Sequence, residues 1–120
     1  MATREAEARV RMHDTTAVIE LHGRIDAGAE QAMAAAYAEA IGHDPSGLLL
    51  HFGGTDYINS TGIALIVGLL ARARADRRPV SACGLSDHYR EIFEITRLAD
   101  FMRIVTDEGD AATTSPGGQA

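Results

Sequence analysis

The chain is predicted to fold as a single α/β domain, with a mixed β-sheet, an N-terminal β-hairpin and three to four helices packed against the sheet. Three observations predict this fold class. Apolar residues alternate with period two at the start of the chain and then recur at helical spacing. Segments of the two kinds continue to follow one another along the sequence. A short, continuously apolar run in the middle is typical of an interior strand. The 120 residues suit one compact domain with its own core.

The first elements are two strands joined as a hairpin. Val10 and Met12 alternate with polar neighbours, as one face of a strand does. Residues 13–16 are polar and predict a turn, and residues 17–22 then alternate again with three apolar side chains on one face. The two strands are therefore expected to pair as antiparallel neighbours.

A helix and an interior strand come next. The apolar residues of the helix recur at a spacing that makes one buried stripe. They are Met33, Ala36, Tyr37, Ala40 and Ile41. Gly42 is expected to end this helix. Residues 47–52 then form a short apolar run around Leu49, which predicts a strand near the middle of the sheet and covered on both faces.

Residues 61–76 are the second helix candidate, and Pro79 ends it. Its first turns have no polar face, so burial against the sheet leaves apolar surface for other contacts. Small residues form a ridge along one side, which core packing alone would explain: Ala64, Gly68, Ala71 and Ala75. Arginines at the far end complement the negative end of the helix dipole and are interpreted as structural, not as a nucleic-acid patch. They are Arg72, Arg74, Arg77 and Arg78.

The remaining elements complete the domain. Residues 80–83 predict a strand parallel to residues 47–52, because a crossover of helical length separates them. Ser86 is the expected N-cap of a third helix, and a last short strand follows it. We expect the domain to occupy residues 1–107 and residues 108–120 to form a disordered tail, because their composition buries too little apolar area to offset chain entropy.

The composition narrows the class of protein. The chain is 46% hydrophobic and 23% charged, which is ordinary for a soluble globular protein. Its formal net charge of −6 disfavours a nucleic-acid or anionic-membrane surface and fits protein partners. The single cysteine, Cys83, lies in an apolar run and indicates a buried structural thiol. Residues 1–9 are charged and lack an apolar stretch, so the cytoplasm is the expected compartment.

The most informative segment is residues 56–62, which places two adjacent hydroxyls, Ser60 and Thr61, at the start of the second helix. The first turn of a helix has unpaired backbone N–H groups and a partial positive charge, so it stabilises an attached anion. Two interpretations stay open from the residues alone: Ser60 caps the helix, or it displays a hydroxyl for phosphorylation. Asp26 lies at an equivalent strand-to-helix junction and is expected near this segment.

Three segments, in this order, are similar to those of a known family. Residues 23–26, Gly-Arg-Ile-Asp, are similar to the family's Gly-Glu-Ile/Leu-Asp. Residues 57–63 are similar to its aromatic-apolar-Asp-Ser-Ser/Thr-Gly-Leu, with Asn59 in place of the acid. Residues 84–98 are similar to its small-residue turn and Leu-Phe-x-x-x-Gly-Leu helix, with Arg97 in place of the glycine. The chain thus resembles the STAS domains, and within them the bacterial anti-sigma-factor antagonists.

The resemblance implies a protein-binding switch and no catalysis. Ser60, with Thr61 as second choice, would be phosphorylated by a partner serine kinase that doubles as an anti-sigma factor. The unmodified protein would bind this kinase and release its sigma factor, so that transcription is regulated by partner switching, and a metal-dependent serine/threonine phosphatase would reset the cycle. The resemblance further implies a cytoplasmic phosphoprotein with no cofactor, no direct nucleic-acid contact and no membrane insertion, as a monomer or weak homodimer.

The expected partner-binding surface surrounds Ser60. It consists of Asp26, Asp56, Asn59, Ser60, Thr61, Gly62 and Ile63, with Leu65 and Leu69 as candidates for exposed apolar contacts. A phosphate adds about −1.5 to −2 charge, which is expected to remove the interface and leave the fold almost unchanged. Asn59 lacks the charge that most of the family carries beside the serine, and it also competes with Ser60 for the helix cap.

Other functions use the same residues differently. A STAS scaffold or adaptor, in a stress-signalling complex or a transporter, would need no phosphorylation. A serine hydrolase would combine Ser60 with His51 and Asp56, but the segment lacks the glycine two residues before the serine that a nucleophile elbow needs. The five histidines show no close metal-ligand spacing, which disfavours a zinc site. Residues 53–54, Gly-Gly, indicate a flexible strand exit and not a phosphate-binding loop.

Overall fold

The computed structural model describes residues 5–109. That part of the chain contains five strands, three α-helices and two short 3₁₀ turns. In chain order the elements are β1 (Glu7–His13), β2 (Thr16–Ile25), a 3₁₀ turn (Ala27–Ala29), α1 (Glu30–Gly42), β3 (Gly47–Ile58), α2 (Ser60–Ala75), β4 (Val80–Cys83), α3 (Asp87–Ile95), a second 3₁₀ turn (Leu98–Asp100) and β5 (Arg103–Ile104).

The strands form one sheet in the order β1-β2-β3-β4-β5, with β3 at its centre. β1 and β2 pair antiparallel, whereas β2 with β3, β3 with β4 and β4 with β5 pair in parallel. One helix lies between the two strands of each parallel pair in sequence. Parallel neighbours need such a crossover because the chain leaves the first strand at one end of the sheet and must return to the other end before the second strand starts. The predicted fold class, a mixed sheet with an N-terminal hairpin and packed helices, is confirmed.

The main core lies on the sheet face that the helices cover. Leu48, Leu50 and Phe52 of β3 belong to it, together with apolar residues from all three helices. Phe52 meets Phe93 of α3 edge to face, with 5.7 Å between the ring centroids. Aromatic pairs favour this geometry because the positive edge of one ring faces the negative face of the other. The contact fastens α3 to the central strand.

The opposite sheet face holds a smaller cluster of Val18, Leu49 and Cys83, all of them buried. The sequence interpretation of Cys83 as a buried thiol is therefore confirmed. Burial raises the pKa of the Cys83 thiol to about 11, because the thiolate loses its hydration there. Since the thiolate is the reactive form, this cysteine is inert at neutral pH.

The central strand is longer than the sequence pattern predicts. β3 continues through the two glycines to Ile58, so the expected strand exit at residues 53–54 is wrong. Parallel pairing with β2 carries the strand onward, with register shifts after Glu20 and after Gly23. A Cβ at Gly54 would lie 2.1 Å from the His22 Nδ1 atom. The glycine leaves room for the His22 ring, which lies against β3 at this point, and the chain does not leave the sheet here.

The C-terminal part of the described chain contains two informative positions. Arg97 has φ 68°, in the left-handed region that favours glycine, and it stands where the resembling family has its glycine. Glu108 lies beside β1, where its Oε2 atom accepts a hydrogen bond from Arg11 Nη1 at 2.7 Å. Residues 110–120 lie outside the described residues. The predicted disordered tail therefore stays a prediction.

Candidate functional site

The candidate site lies where β3 ends and α2 begins. Ser60 is the first residue of α2, and both Ser60 and Thr61 are exposed. The side chain of Asn59 caps the helix: its Oδ1 atom accepts a hydrogen bond from the Gly62 backbone N–H at 2.8 Å. The interpretation of Ser60 as the helix cap is therefore wrong. Because the capping role belongs to Asn59, the Ser60 hydroxyl is left on the surface without a structural hydrogen bond to the described residues.

The backbone around Asn59 explains why this residue becomes the cap. Asn59 is extended, with φ −99° and ψ −176°, as N-cap residues are. Its N–H donates to the Ile25 carbonyl at the end of β2 at 3.3 Å, and its own carbonyl accepts the N–H of Ile63 at 2.9 Å. The sheet therefore determines the conformation of Asn59 before the helix starts. Ser60 follows inside the helix.

Gly62 belongs to the expected partner surface, but the structure buries it. A Cβ at this position would lie 1.9 Å from the Ile25 carbonyl oxygen. No side chain larger than hydrogen fits, because the Ile25 carbonyl belongs to rigid backbone and cannot move like a flexible side chain. Gly62 thus allows α2 to approach β2 closely, so that the first turn of the helix packs against the end of that strand.

Asp26 lies at the neighbouring junction. Ile25 and Ile58 are paired in the parallel register, so Asp26 and Asn59 each follow one residue of the same pair. Asp26 Oδ1 accepts the N–H of Gly28 at 2.9 Å, and Oδ2 pairs with Arg24 Nε at 3.0 Å. The pKa of Asp26 is lowered, first by the Arg24 hydrogen bond and then by that of Gly28. Its carboxylate is therefore charged at neutral pH beside the candidate site.

The last residues of β3 add to the exposed surface. Asp56 and Tyr57 are exposed, and the Tyr57 side chain retains 46% of its accessible area. Sequence reasoning used Tyr57 to recognise the motif but did not include it in the partner surface. Its place next to buried Ile58 on an alternating strand is a signal that it points outward. An exposed aromatic beside Ser60 is a residue type enriched at protein interfaces.

The apolar residues of α2 divide between surface and core. Ile63 and Leu65 are half-buried. Leu69 is only 5% exposed and belongs to the main core, so its expected role as an exposed contact is wrong. The large apolar side chain that α2 exposes is Val67, at 46%. The outward and inward positions of this helix are not distinguishable from its sequence, because nearly all its early residues are apolar.

Tyr89 is a site residue that the sequence analysis missed. The Ile58 backbone N–H donates to the Tyr89 hydroxyl at 2.9 Å, so α3 holds the end of β3. In the sequence, Tyr89 is one member of an apolar stripe on α3. Tyr89 is half-buried, and a tyrosine that packs among apolar residues needs a partner for its hydroxyl, which is the signal that the sequence offered. Ser86 caps α3 through its hydroxyl, which accepts the Tyr89 N–H at 3.3 Å, as predicted.

The residues of a hydrolase site are not brought together. His51 precedes Ile58 on the same strand by seven residues, about 23 Å at strand spacing, so it cannot reach Ser60. The His51 Nδ1 atom accepts the Gly53 N–H at 3.1 Å instead. Within residues 5–109, no group of three or more His, Cys, Asp or Glu side chains is arranged to hold a metal ion. No helix in this range is long and apolar enough to cross a membrane.

Comparison with known proteins assigns the family. The family model described as "Mlab, STAS domain" matches residues 8–106, which include both strand-to-helix junctions and the whole sheet core. The chain belongs to the STAS domain family. This match extends over nearly all of the described range, so the family resemblance seen in three short segments holds for the whole domain.

Individual relatives carry a consistent name. The Anti-sigma-B factor antagonist of Listeria monocytogenes is 37% identical over 54 residues, which are 45% of this chain and 47% of that protein. The chain thus matches about half the length of this curated relative.

Solved structures agree in fold. An anti-sigma factor antagonist from Mycobacterium paratuberculosis superposes with a TM-score of 0.74 at 17% identity, over 92% of this chain and 93% of that one. The Bacillus cell fate determinant SpoIIAA in its phosphorylated form superposes with a TM-score of 0.65 at 22% identity, over 88% and 96% of the two chains. At these identities the structures support the shared STAS fold.

Proposed function

We propose that this STAS domain is an anti-sigma-factor antagonist whose partner binding is switched by phosphorylation of Ser60. The observation that carries the proposal is the exposed Ser60 hydroxyl at the first position of α2, next to a cap supplied by Asn59. A serine that capped the helix would be needed for stability, and its modification would disturb the fold. Here the neighbouring residue has that role, so Ser60 is available for modification.

The helix start also suits the product of the reaction. A phosphate on Ser60 lies at the positive end of α2, where the partial charge of the helix stabilises an anion. The phosphate adds about −1.5 to −2 charge at neutral pH. Asn59 brings no charge of its own to this position, whereas Asp26 and Asp56 stand nearby. Phosphorylation therefore converts a mixed surface into an acidic one while the core stays packed.

The unmodified surface offers contacts to a protein partner. Tyr57 is exposed, and Ile63 and Leu65 are half-buried along the first turns of α2. In the proposed cycle, an anti-sigma factor with serine kinase activity binds this surface and releases its sigma factor. A phosphate at Ser60 then blocks close contact with the apolar residues and repels acidic groups on the partner. A metal-dependent serine/threonine phosphatase restores the binding form.

The experiment is phosphorylation in vitro. The protein is incubated with candidate histidine-kinase-like serine kinases and ATP, and the modified residue is located by mass spectrometry. We expect phosphate on Ser60 of the wild type, none on Ser60→Ala, and unchanged modification of Ser60 in Thr61→Ala. If neither hydroxyl is modified by any kinase that binds the protein, the switch is wrong, and the alternative of a STAS scaffold or adaptor replaces it.

A further inference from the structure

A cavity of about 710 Å³ lies at the C-terminal end of α2. Its apolar wall comes from the last turns of the helix and from the chain after α3. The lining apolar side chains include Val67, Leu70, Ala71, Leu98 and Phe101. Arg74, also in the lining, follows Ser60 by fourteen residues, which is about 21 Å along the helix axis. The cavity is therefore separate from the proposed phosphorylation site.

The volume and the lining of the cavity favour a small molecule as the occupant. Ligand sites in proteins measure about 300–1,000 Å³ and combine mostly apolar walls with a few polar groups. Val67 is 46% exposed and Phe101 is 56% exposed at this cavity. Two large apolar side chains left in water on facing elements provide area that an apolar ligand would cover.

The rim carries positive charge on a chain whose net charge is −6. Arg74, Arg77 and Arg78 line the cavity. Across the described residues, no carboxylate forms an ion pair with Arg74 or Arg77. The Arg74 guanidinium lies 5.9 Å from the centre of the Phe101 ring. Asp100 is the acidic lining residue, and its Oδ2 accepts from Arg97 Nε at 2.7 Å, which offsets its charge.

Arg78 adds an unmet hydrogen-bond donor. Its Nη1 donates to the Pro45 carbonyl, and its Nη2 donates to Asp44 Oδ1 at 2.8 Å, so the guanidinium is fixed in place. The buried Nε–H has no acceptor in the described part of the protein. A buried donor without a partner costs free energy, and a small shift of Arg78 toward the cavity that it lines would let an anionic oxygen satisfy this donor.

We propose that this cavity binds an amphipathic organic anion, of the class of a medium-chain carboxylate. Its apolar chain would lie between α2 and Phe101, and its carboxylate would meet Arg74, Arg77 and Arg78. Apolar walls alone would bind any apolar molecule of suitable size. The arginine rim selects an anion, because a carboxylate accepts paired hydrogen bonds from a guanidinium.

Decanoate is the probe, titrated below its micelle concentration into the ¹⁵N-labelled protein and followed by NMR. We expect saturable shifts of the residues that line the cavity. Decanol has the same chain without the charge, and it is expected to bind at least about tenfold more weakly, because it loses the charge-assisted hydrogen bonds. Binding should be the same in Ser60→Ala, which separates this proposal from the proposed switch.

Two variants test the charged and the apolar half of the cavity, and a third is their control. The double variant Arg74→Gln with Arg77→Gln removes charge, and Ala71→Leu fills space at an exposed helical position that tolerates leucine. Each is expected to weaken decanoate binding at least about tenfold. Arg90→Gln, at an exposed arginine of α3 outside the cavity, is the matched control and should bind like the wild type.

Four results would overturn the proposal. They are an absence of saturable binding, equal affinity for decanoate and decanol, shifts centred on residues outside the cavity, and a loss in Arg90→Gln as large as in the cavity variants. Far-ultraviolet circular dichroism of each variant checks that the fold is retained. If Ala71→Leu unfolds the protein, the arginine variant alone decides, because Arg74 and Arg77 are exposed and their replacement leaves the core intact.

Discussion

The Ile58 backbone N–H and the Tyr89 hydroxyl are joined by a hydrogen bond of 2.9 Å. The two residues are 31 positions apart in the chain, and the bond fastens α3 to the end of β3, two residues before Ser60. Tyr89 therefore acts as a positioning residue for the candidate phosphorylation site.

Tyr89→Phe is expected to destabilise the domain by about 1–2 kcal/mol, because it leaves the Ile58 N–H without its acceptor. Urea unfolding followed by circular dichroism measures the change. Tyr57→Phe is the matched control: its ring is exposed, and we expect less than about 0.5 kcal/mol. Equal losses in the two variants would contradict a specific role for the Tyr89 hydroxyl.

Gly62→Ala is expected to destabilise the fold by about 3 kcal/mol or more, because the new methyl would overlap the Ile25 carbonyl oxygen. Gly68→Ala, in the same helix, meets no atom within 4 Å. This control is expected to stabilise the protein by up to about 1 kcal/mol, since alanine favours helix more than glycine does. Thermal and urea unfolding measure both. A tolerated Gly62→Ala would disprove the close approach of α2 to β2.

Asn59→Ala is expected to cost about 1 kcal/mol of unfolding free energy through loss of the helix cap. Asn59→Asp keeps a capping oxygen and adds negative charge at the positive end of α2. It should match or exceed the wild type, by about 0.3–1 kcal/mol at low salt and less at high salt. Urea unfolding at two salt concentrations tests this. A neutral Asn59→Ala would mean that another group caps the helix.

If the proposed switch is correct, Ser60→Ala is expected to bind the proposed anti-sigma kinase constitutively, whereas Ser60→Glu should bind at least about tenfold more weakly, because a charge then stands at the contact. Ser60→Ala should unfold like the wild type, since the side chain is exposed, and Ser60→Glu should be as stable or up to about 1 kcal/mol more stable, since its charge lies at the positive end of α2. Ala38→Glu adds the same charge at an exposed position of α1 and is the control. Equal binding by both Ser60 variants, measured by calorimetry, would argue against an electrostatic switch.

The stability of the domain is expected to depend on pH through Glu108. The hydrogen bond from Arg11, assisted by His13, lowers the pKa of Glu108 from 4.5 to about 2. Because the folded-state pKa is the lower one, the pair stabilises the fold above about pH 4.5, and the contribution is lost as the pH falls toward 2. Arg11 is partly exposed, so the contribution is expected to stay below about 1 kcal/mol.

Glu108→Gln tests this linkage. The loss of unfolding free energy relative to the wild type, measured in urea, should be larger at neutral pH than at about pH 3, where part of the wild-type contribution has gone. Glu91→Gln, at an exposed glutamate of α3, should show no such difference. A pH-independent effect of Glu108→Gln would mean that its charge does not stabilise the fold.

Much of the fold was predictable because its signals are local. The alternation around Val10 and the helical stripe through Met33 depend only on residues close in the sequence, and the structure has a strand and a helix at these places. The cap of α3 by Ser86 is local as well, since donor and acceptor are three residues apart. The position of Ser60 at the start of α2 also followed from the change of period.

Other features needed partners distant in the chain. β3 continues to Ile58 because β2 pairs with it, and residues 53–54 alone do not predict that pairing. Leu69 is buried and Val67 exposed because the sheet lies on one side of a helix that is apolar nearly all round.

The sequence by itself determined the order of elements, the STAS motif and the placement of two hydroxyls at the beginning of a helix. Only the tertiary structure decided which neighbour caps that helix. Asn59 and Ser60 are equally good capping residues, and the choice between them was made by the contact of the Asn59 N–H with the Ile25 carbonyl of another strand. That long-range contact holds Asn59 extended and leaves the serine on the surface.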